Sequence, residues 1–145
     1  MLIRSNMKFN ALIPVFYISN IKNSLKFYSQ ILGFVVEYTR EEEGFAFLSL
    51  GKAQVMISEI GIGDTWNTDK LEYPFGRGIN FQIEVKNIEP LIKKLKSEKC
   101  PLFRKTEEKW YRKDKQLLGN RQFLVQDPDG YLLRFFQNIG TKSAE

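Results

Sequence analysis

The chain has 145 residues, 43% hydrophobic and 27% charged, and a net charge of +5. That length fits one domain with room for a buried core, and the composition excludes a disordered or low-complexity chain. There is no histidine, which excludes Ser-His-Asp and Cys-His catalysis and removes the commonest ligand for zinc and catalytic iron.

The N-terminal stretch MLIRSNMKFN has no long apolar region and no small-residue cleavage site, so no secretory signal is read there. No apolar run reaches the roughly 20 residues of a membrane span. Residues 11–18, ALIPVFYI, are rich in β-formers and predict a strand. Ser19 or Asn20 can cap a helix in which Ile21, Leu25, Tyr28 and Leu32 fall at helical spacing, and Gly33 stops it. Residues 34–38 predict a second strand, and residues 45–50 and 54–58 a hairpin around Gly51-Lys52. The run of elements is βαβββ.

Residues 60–78, IGIGDTWNTDKLEYPFGRG, break the pattern. Their four glycines, proline and polar residues predict a long loop, of the kind that often carries function. Residues 79–85 then predict a strand. Asn87 caps a helix with the apolar stripe Ile88, Leu91, Ile92 and Leu95, where Pro90 is tolerated in the first turn. The lone cysteine, Cys100, excludes an internal disulfide, fits a reducing cytoplasm and reads as a small residue at a helix-to-strand junction. Strands are expected at 101–105 and 109–113, and a last hairpin at 122–126 and 131–137 around Asp127-Pro-Asp-Gly130. Residues 138–145 read as a frayed tail. This second run is again βαβββ. The domain is read as one unit over 1–145, with modules at about 9–59 and 79–138.

Two places are dense in lysine: Lys93, Lys94, Lys96 and Lys99 on a helix, and the mixed run RKTEEKWYRKDKQ at 104–116. Both read as solvated faces in preference to a nucleic-acid surface.

The stretches PVFYISNIKNSLKFYSQILGF, GRGINFQIEV and NRQFLVQDPDGYLLRFFQ resemble the vicinal oxygen chelate superfamily, which includes glyoxalase I, extradiol dioxygenases and bleomycin resistance proteins. The resemblance covers residues 11–138, and the final motif is its most specific part. It implies an α+β fold of two βαβββ modules whose curled mixed sheets form a cup, usually assembled as a dimer. In the metal enzymes of the family, four inward side chains from the first and last strands of each module hold the metal. Motif spacing carries those positions onto Ile13, Met56, Asn80 and Arg134. The resemblance implies His or Glu at these positions, and none is: isoleucine cannot ligate, methionine prefers soft metals and arginine repels a cation. No cofactor is therefore expected. The resemblance points to the bleomycin resistance type, whose members sequester a drug in crevices between subunits, using aromatic stacking and acidic surface.

Arg134 is the chain's most pointed residue, since it stands between Leu132, Leu133, Phe135 and Phe136 in a strand. Strand alternation puts Leu132, Arg134 and Phe136 on one face. With the carried-over positions, Arg134 then faces the cup together with Asn80, Gln82 and Glu84. Two uses are open for it: an ion pair with Glu84, or contact with a ligand. Trp66, Phe75, Trp110 and Tyr111 are the candidate aromatic contacts; loop packing is the other reading for Trp66, and core or dimer packing for Trp110-Tyr111. The leading expectation is a cytoplasmic homodimer that binds a small molecule through these residues, off the membrane and away from nucleic acid. The alternative is an enzyme of the same fold, of lyase or isomerase type and with a non-standard or absent metal site. Glu84 would be its base, with Arg134 stabilising an anion.

Overall fold

The computed structural model describes residues 7–63 and 65–145. Residues 1–6 of the stretch read for a secretory signal, and Asp64 of the long loop, lie outside the described residues. The chain divides into two units, Met1–Tyr73 and Pro74–Glu145. Among the described residues, no helix is long and apolar enough to cross a membrane.

In the first unit, strand β1 (Val15–Ile18) leads into helix α1 (Ile21–Leu25), which runs on as a π-helical segment, Lys26–Ile31. Strands β2 (Val35–Arg40), β3 (Phe45–Leu50) and β4 (Ala53–Glu59) follow. The Asn20 side chain caps the helix by accepting from the Asn23 N–H at 3.0 Å. Gly33, at φ +83°, turns the chain out of it. The sheet order is β1-β4-β3-β2, with β1 parallel to β4.

One face of this sheet buries Phe16, Ile18, Leu48 and Ile57 in a core shared with Tyr28, whose ring meets those of Phe27 and Phe34 edge-on at 5.4 Å. On the other face Phe9 stacks on Phe47 at 5.1 Å, and Tyr38 closes on Phe47 at 5.5 Å. The segment carrying Phe9 is tied down through Gln54. The Asn10 N–H donates to Gln54 Oε1 at 2.7 Å, and Gln54 Nε2 donates to the Lys8 carbonyl at 2.6 Å.

The second unit repeats the order: β5 (Asn80–Glu84), α2 (Glu89–Ser97), β6 (Arg104–Lys113), β7 (Gln116–Gln126) and β8 (Leu132–Ser143). Its sheet runs β5-β8-β7-β6, again with a parallel pair, β5 and β8, at one side. Asn87 accepts from the Glu89 N–H at 3.0 Å at the start of α2. Ile83, Ile88, Leu95, Phe123, Val125, Leu133 and Phe135 are buried together in this unit's core. The two βαβββ runs expected from the sequence are thus both present.

The Asp127-Pro-Asp-Gly130 turn is tightly specified. Asp127 Oδ1 accepts from the N–H groups of Asp129 and Tyr131, both at 2.9 Å. Gly130 sits at φ +99°, and a Cβ there would lie 2.5 Å from that of Pro74. The Phe75 N–H donates to the Asp129 carbonyl at 2.8 Å, which pins the entry to the unit against its last turn.

Three strand boundaries of the second unit differ from the sequence reading. The strands expected at 101–105 and 109–113 are one continuous β6 from Arg104, with a register slip between Arg104 and Glu107. Residues 138–143 are no frayed tail; they extend β8, with Gln116 opposite Ser143 and Leu118 opposite Thr141. The physical reason is pairing. β7 begins earlier than its apolar alternation suggests and supplies partners, while a bulge beside Asn120 absorbs the extra residue Ile139.

Candidate functional site

Alternation along β8 separates two environments. Leu133 and Phe135 go into the core, while Arg134, Phe136 and Asn138 come out on the opposite face. There they line a cavity of about 370 Å³ with Gln82 and Glu84 from β5. Leu118 and Asn120 from β7 and Tyr111 from β6 complete the lining. Every one of these residues belongs to the second unit.

Arg134 is directly opposite Gln82 in the parallel β5–β8 register, and its Nη2 donates to Gln82 Oε1. Its Nε is buried and has no hydrogen-bond partner. The Arg134–Glu84 ion pair considered from the sequence is not formed: among the described residues neither group has an ion-pair partner. Register explains this. Glu84 is opposite Phe136, two residues beyond Gln82, and at about 3.3 Å per residue the carboxylate starts one full side-chain step away.

The wall across the cavity is braced from below. Gln122, only 3% exposed, lies on the same face of β7 and donates to the Tyr111 hydroxyl at 2.9 Å and to Glu107 Oε1 at 3.4 Å. That hydrogen bond fixes the phenol's position beside the cavity.

Of the residues singled out from the sequence, Glu84, Tyr111 and Arg134 meet at this cavity. Asn80 shares their face of β5, opposite Leu132, and is exposed beyond Gln82. Trp110 lies on the other face of β6, against Gly119 and Ile139, with Lys142 Nζ 4.0 Å from its ring centre. Phe75 packs edge-on against Tyr131 at 6.0 Å, beside the turn. Trp66 belongs to the first unit, is 83% exposed, and donates its backbone N–H to the Tyr17 hydroxyl at 2.9 Å. Sequence reading missed Asn120, Gln122 and Asn138. The available signal was the alternation of Asn120 and Gln122 with buried Phe123 and Val125.

The chain matches the model of the family described as Glyoxalase/Bleomycin resistance protein/Dioxygenase superfamily over residues 12–135. It is 28% identical over 140 residues to the bleomycin resistance protein of Geobacillus stearothermophilus, covering 88% of this chain and 96% of that protein. The bleomycin resistance protein of Staphylococcus aureus matches to the same extent. Among solved structures, TioX from Micromonospora sp. ML1 is similar with a TM-score of 0.69 at 16% identity, over 90% of this chain and 100% of that one. A glyoxalase/bleomycin resistance protein/dioxygenase from Alicyclobacillus acidocaldarius has a TM-score of 0.60 at 16% identity, over 90% of this chain and 92% of that one. At those identities the two structures speak for the fold alone.

Proposed function

The chain belongs to the Glyoxalase/Bleomycin resistance protein/Dioxygenase superfamily, and from that premise we propose that it binds and sequesters a small molecule, without a catalytic metal. The observation that carries the reading is the cavity on the second sheet, with Arg134 held at its wall and the guanidinium Nε left without a partner. Its volume falls in the range of small-molecule sites, and its lining mixes ring and aliphatic surface with a few convergent polar groups. A buried donor without an acceptor costs about 1–3 kcal/mol, and the Arg134 side chain that carries it lines the cavity.

The metal-independent part rests on donor chemistry. The positions that carry the family's metal ligands hold Ile13, Met56, Asn80 and Arg134 here, and the chain has no histidine. A fixed guanidinium charge, a thioether and an aliphatic side chain do not suit a hard divalent ion. The family's Lewis-acid chemistry has no donor set here to support it.

The relatives named bleomycin resistance proteins support a drug of that kind as ligand. Glu84, Tyr111 and Arg134 line the cavity; Asn80, Phe75, Trp66 and Trp110 stay in the proposal as ligand contacts expected from the sequence, apart from that lining. A homodimer in the cytoplasm remains part of the reading, and sedimentation at a single chain mass would sink the dimer. The test of function is a tryptophan-fluorescence titration with metal-free bleomycin at physiological salt. Saturable binding at micromolar concentration or tighter, one drug per chain, is expected. A flat titration, repeated by calorimetry, would detach the protein from this drug.

A further inference from the structure

We propose that the cavity on the second sheet selects a dipolar ligand, one that offers an anionic acceptor group to Arg134 and a protonated amine to Glu84. The inference rests on the reading of this cavity as a small-molecule site and adds the chemical class of what it takes.

Two opposite charges line one cavity and do not pair. Elsewhere in the chain arginines do find carboxylates: Arg40 meets Glu43 at 2.6 Å and Arg121 meets Glu89 at 2.5 Å. At the cavity, Gln82 stands directly opposite Arg134 and takes one of its Nη donors. This holds the guanidinium in place without neutralising it. Of the other four donors, that on Nε is buried and unpartnered, and arginine presents its donors in a fork that suits a carboxylate. Glu84, opposite Phe136, stands about 6.6 Å further along the strand, two residues at 3.3 Å each. It too is without an ion-pair partner among the described residues.

The Phe136 ring, level with Glu84 in the register, and the phenol of Tyr111, held by Gln122, line the same cavity as the two charges. The same face of β6 also carries Glu107 and Lys109, opposite Gln122 and Asn120. Those are one charge of each sign outside the cavity lining, and Glu107 already has Arg104 at 3.9 Å. A compact ring with an acid at one end and an ammonium at the other matches this spacing. A purely anionic or purely cationic ligand leaves one end unanswered.

The probes are 4-(aminomethyl)benzoate, which carries both groups across one ring, and benzoate and benzylamine, which carry one each. Affinities are measured by NMR titration of the full chain, as wild type, Arg134→Gln and Glu84→Gln. The wild type is expected to bind 4-(aminomethyl)benzoate about tenfold more tightly than either single-charge probe. Arg134→Gln should erase the advantage over benzylamine alone, and Glu84→Gln the advantage over benzoate alone. Equal affinities for the three probes, no binding of any, or the same loss in both variants for every probe would each overturn the proposal. Metal-free bleomycin is titrated in parallel. If the wild type binds the drug and the variants lose it while the crossed pattern fails, sequestration stands and the dipolar assignment falls. If the crossed pattern appears without drug binding, the dipolar assignment stands and the drug falls.

Discussion

Arg134 and Asp127 are both polar residues set among apolar neighbours near the last turn, and their energetics are opposite. Asp127 is 3% exposed and accepts from two backbone N–H groups, so Asp127→Ala strands both donors. It is expected to cost about 2–3 kcal/mol, read as a lower urea midpoint. Arg134 has one partner, Gln82, and one buried donor with none. Arg134→Leu is therefore expected to change stability by no more than about 1 kcal/mol in the same assay while removing ligand binding. Loss of stability comparable to that of Asp127→Ala would show Arg134 to be structural. That Arg134 leaves the core was legible in the sequence, because strand alternation alone sets it apart from Leu133 and Phe135. That its partner is Gln82 and not Glu84 was not legible. The choice turns on the register of a parallel pair 52 residues apart, which no local pattern encodes. Alternation also separates Trp110 from Tyr111, since neighbours in one strand face opposite ways.

Helices and hairpins were readable where caps and apolar stripes mark them, as at Asn20, Gly33 and the Leu95 stripe of α2. The far half of β8 was not, because NIGTKS shows no alternation of apolar residues and becomes a strand only through its partner β7. The pairing has a consequence at the site. Leu118, a cavity residue, is opposite Thr141 in this extension. A chain ending at Asn138 loses the pairs from Gly119–Gly140 to Gln116–Ser143 and the Lys142 contact with the Trp110 ring. Hydrogen-exchange protection at residues 117–119 is expected to collapse, with Phe123 and Phe135 still protected in the core. Unchanged protection there would mean that β6 alone holds β7.

At the scale of the whole molecule, the two units use one architecture differently. On the first sheet the face opposite the helix carries the chain's own Phe9 on Phe47; on the second, the equivalent face is left with a cavity. The net charge of +5 acts on whatever approaches. Long-range attraction favours the anionic end of a ligand and is screened by salt. Benzoate is therefore expected to bind more weakly as salt rises, whereas a cationic drug such as metal-free bleomycin should hold or gain. Parallel titrations at low and high salt check this. The same slope for both ligands would show that the local groups at Glu84 and Arg134 outweigh the overall field.

The parallel pairing of β5 with β8 also bears on how the protein is made. β5 leaves the ribosome 52 residues ahead of the strand that supplies its hydrogen bonds. The first unit draws its sheet partners from within its own residues, so it can settle while the second is still being translated. During that interval the backbone of β5 has no sheet neighbour in its own unit, and the wall that carries Gln82 and Glu84 does not exist. The cavity face is thus assembled late in synthesis, and slowing translation between α2 and β8 prolongs the time for which an unpaired strand is open to chaperones or to other nascent chains.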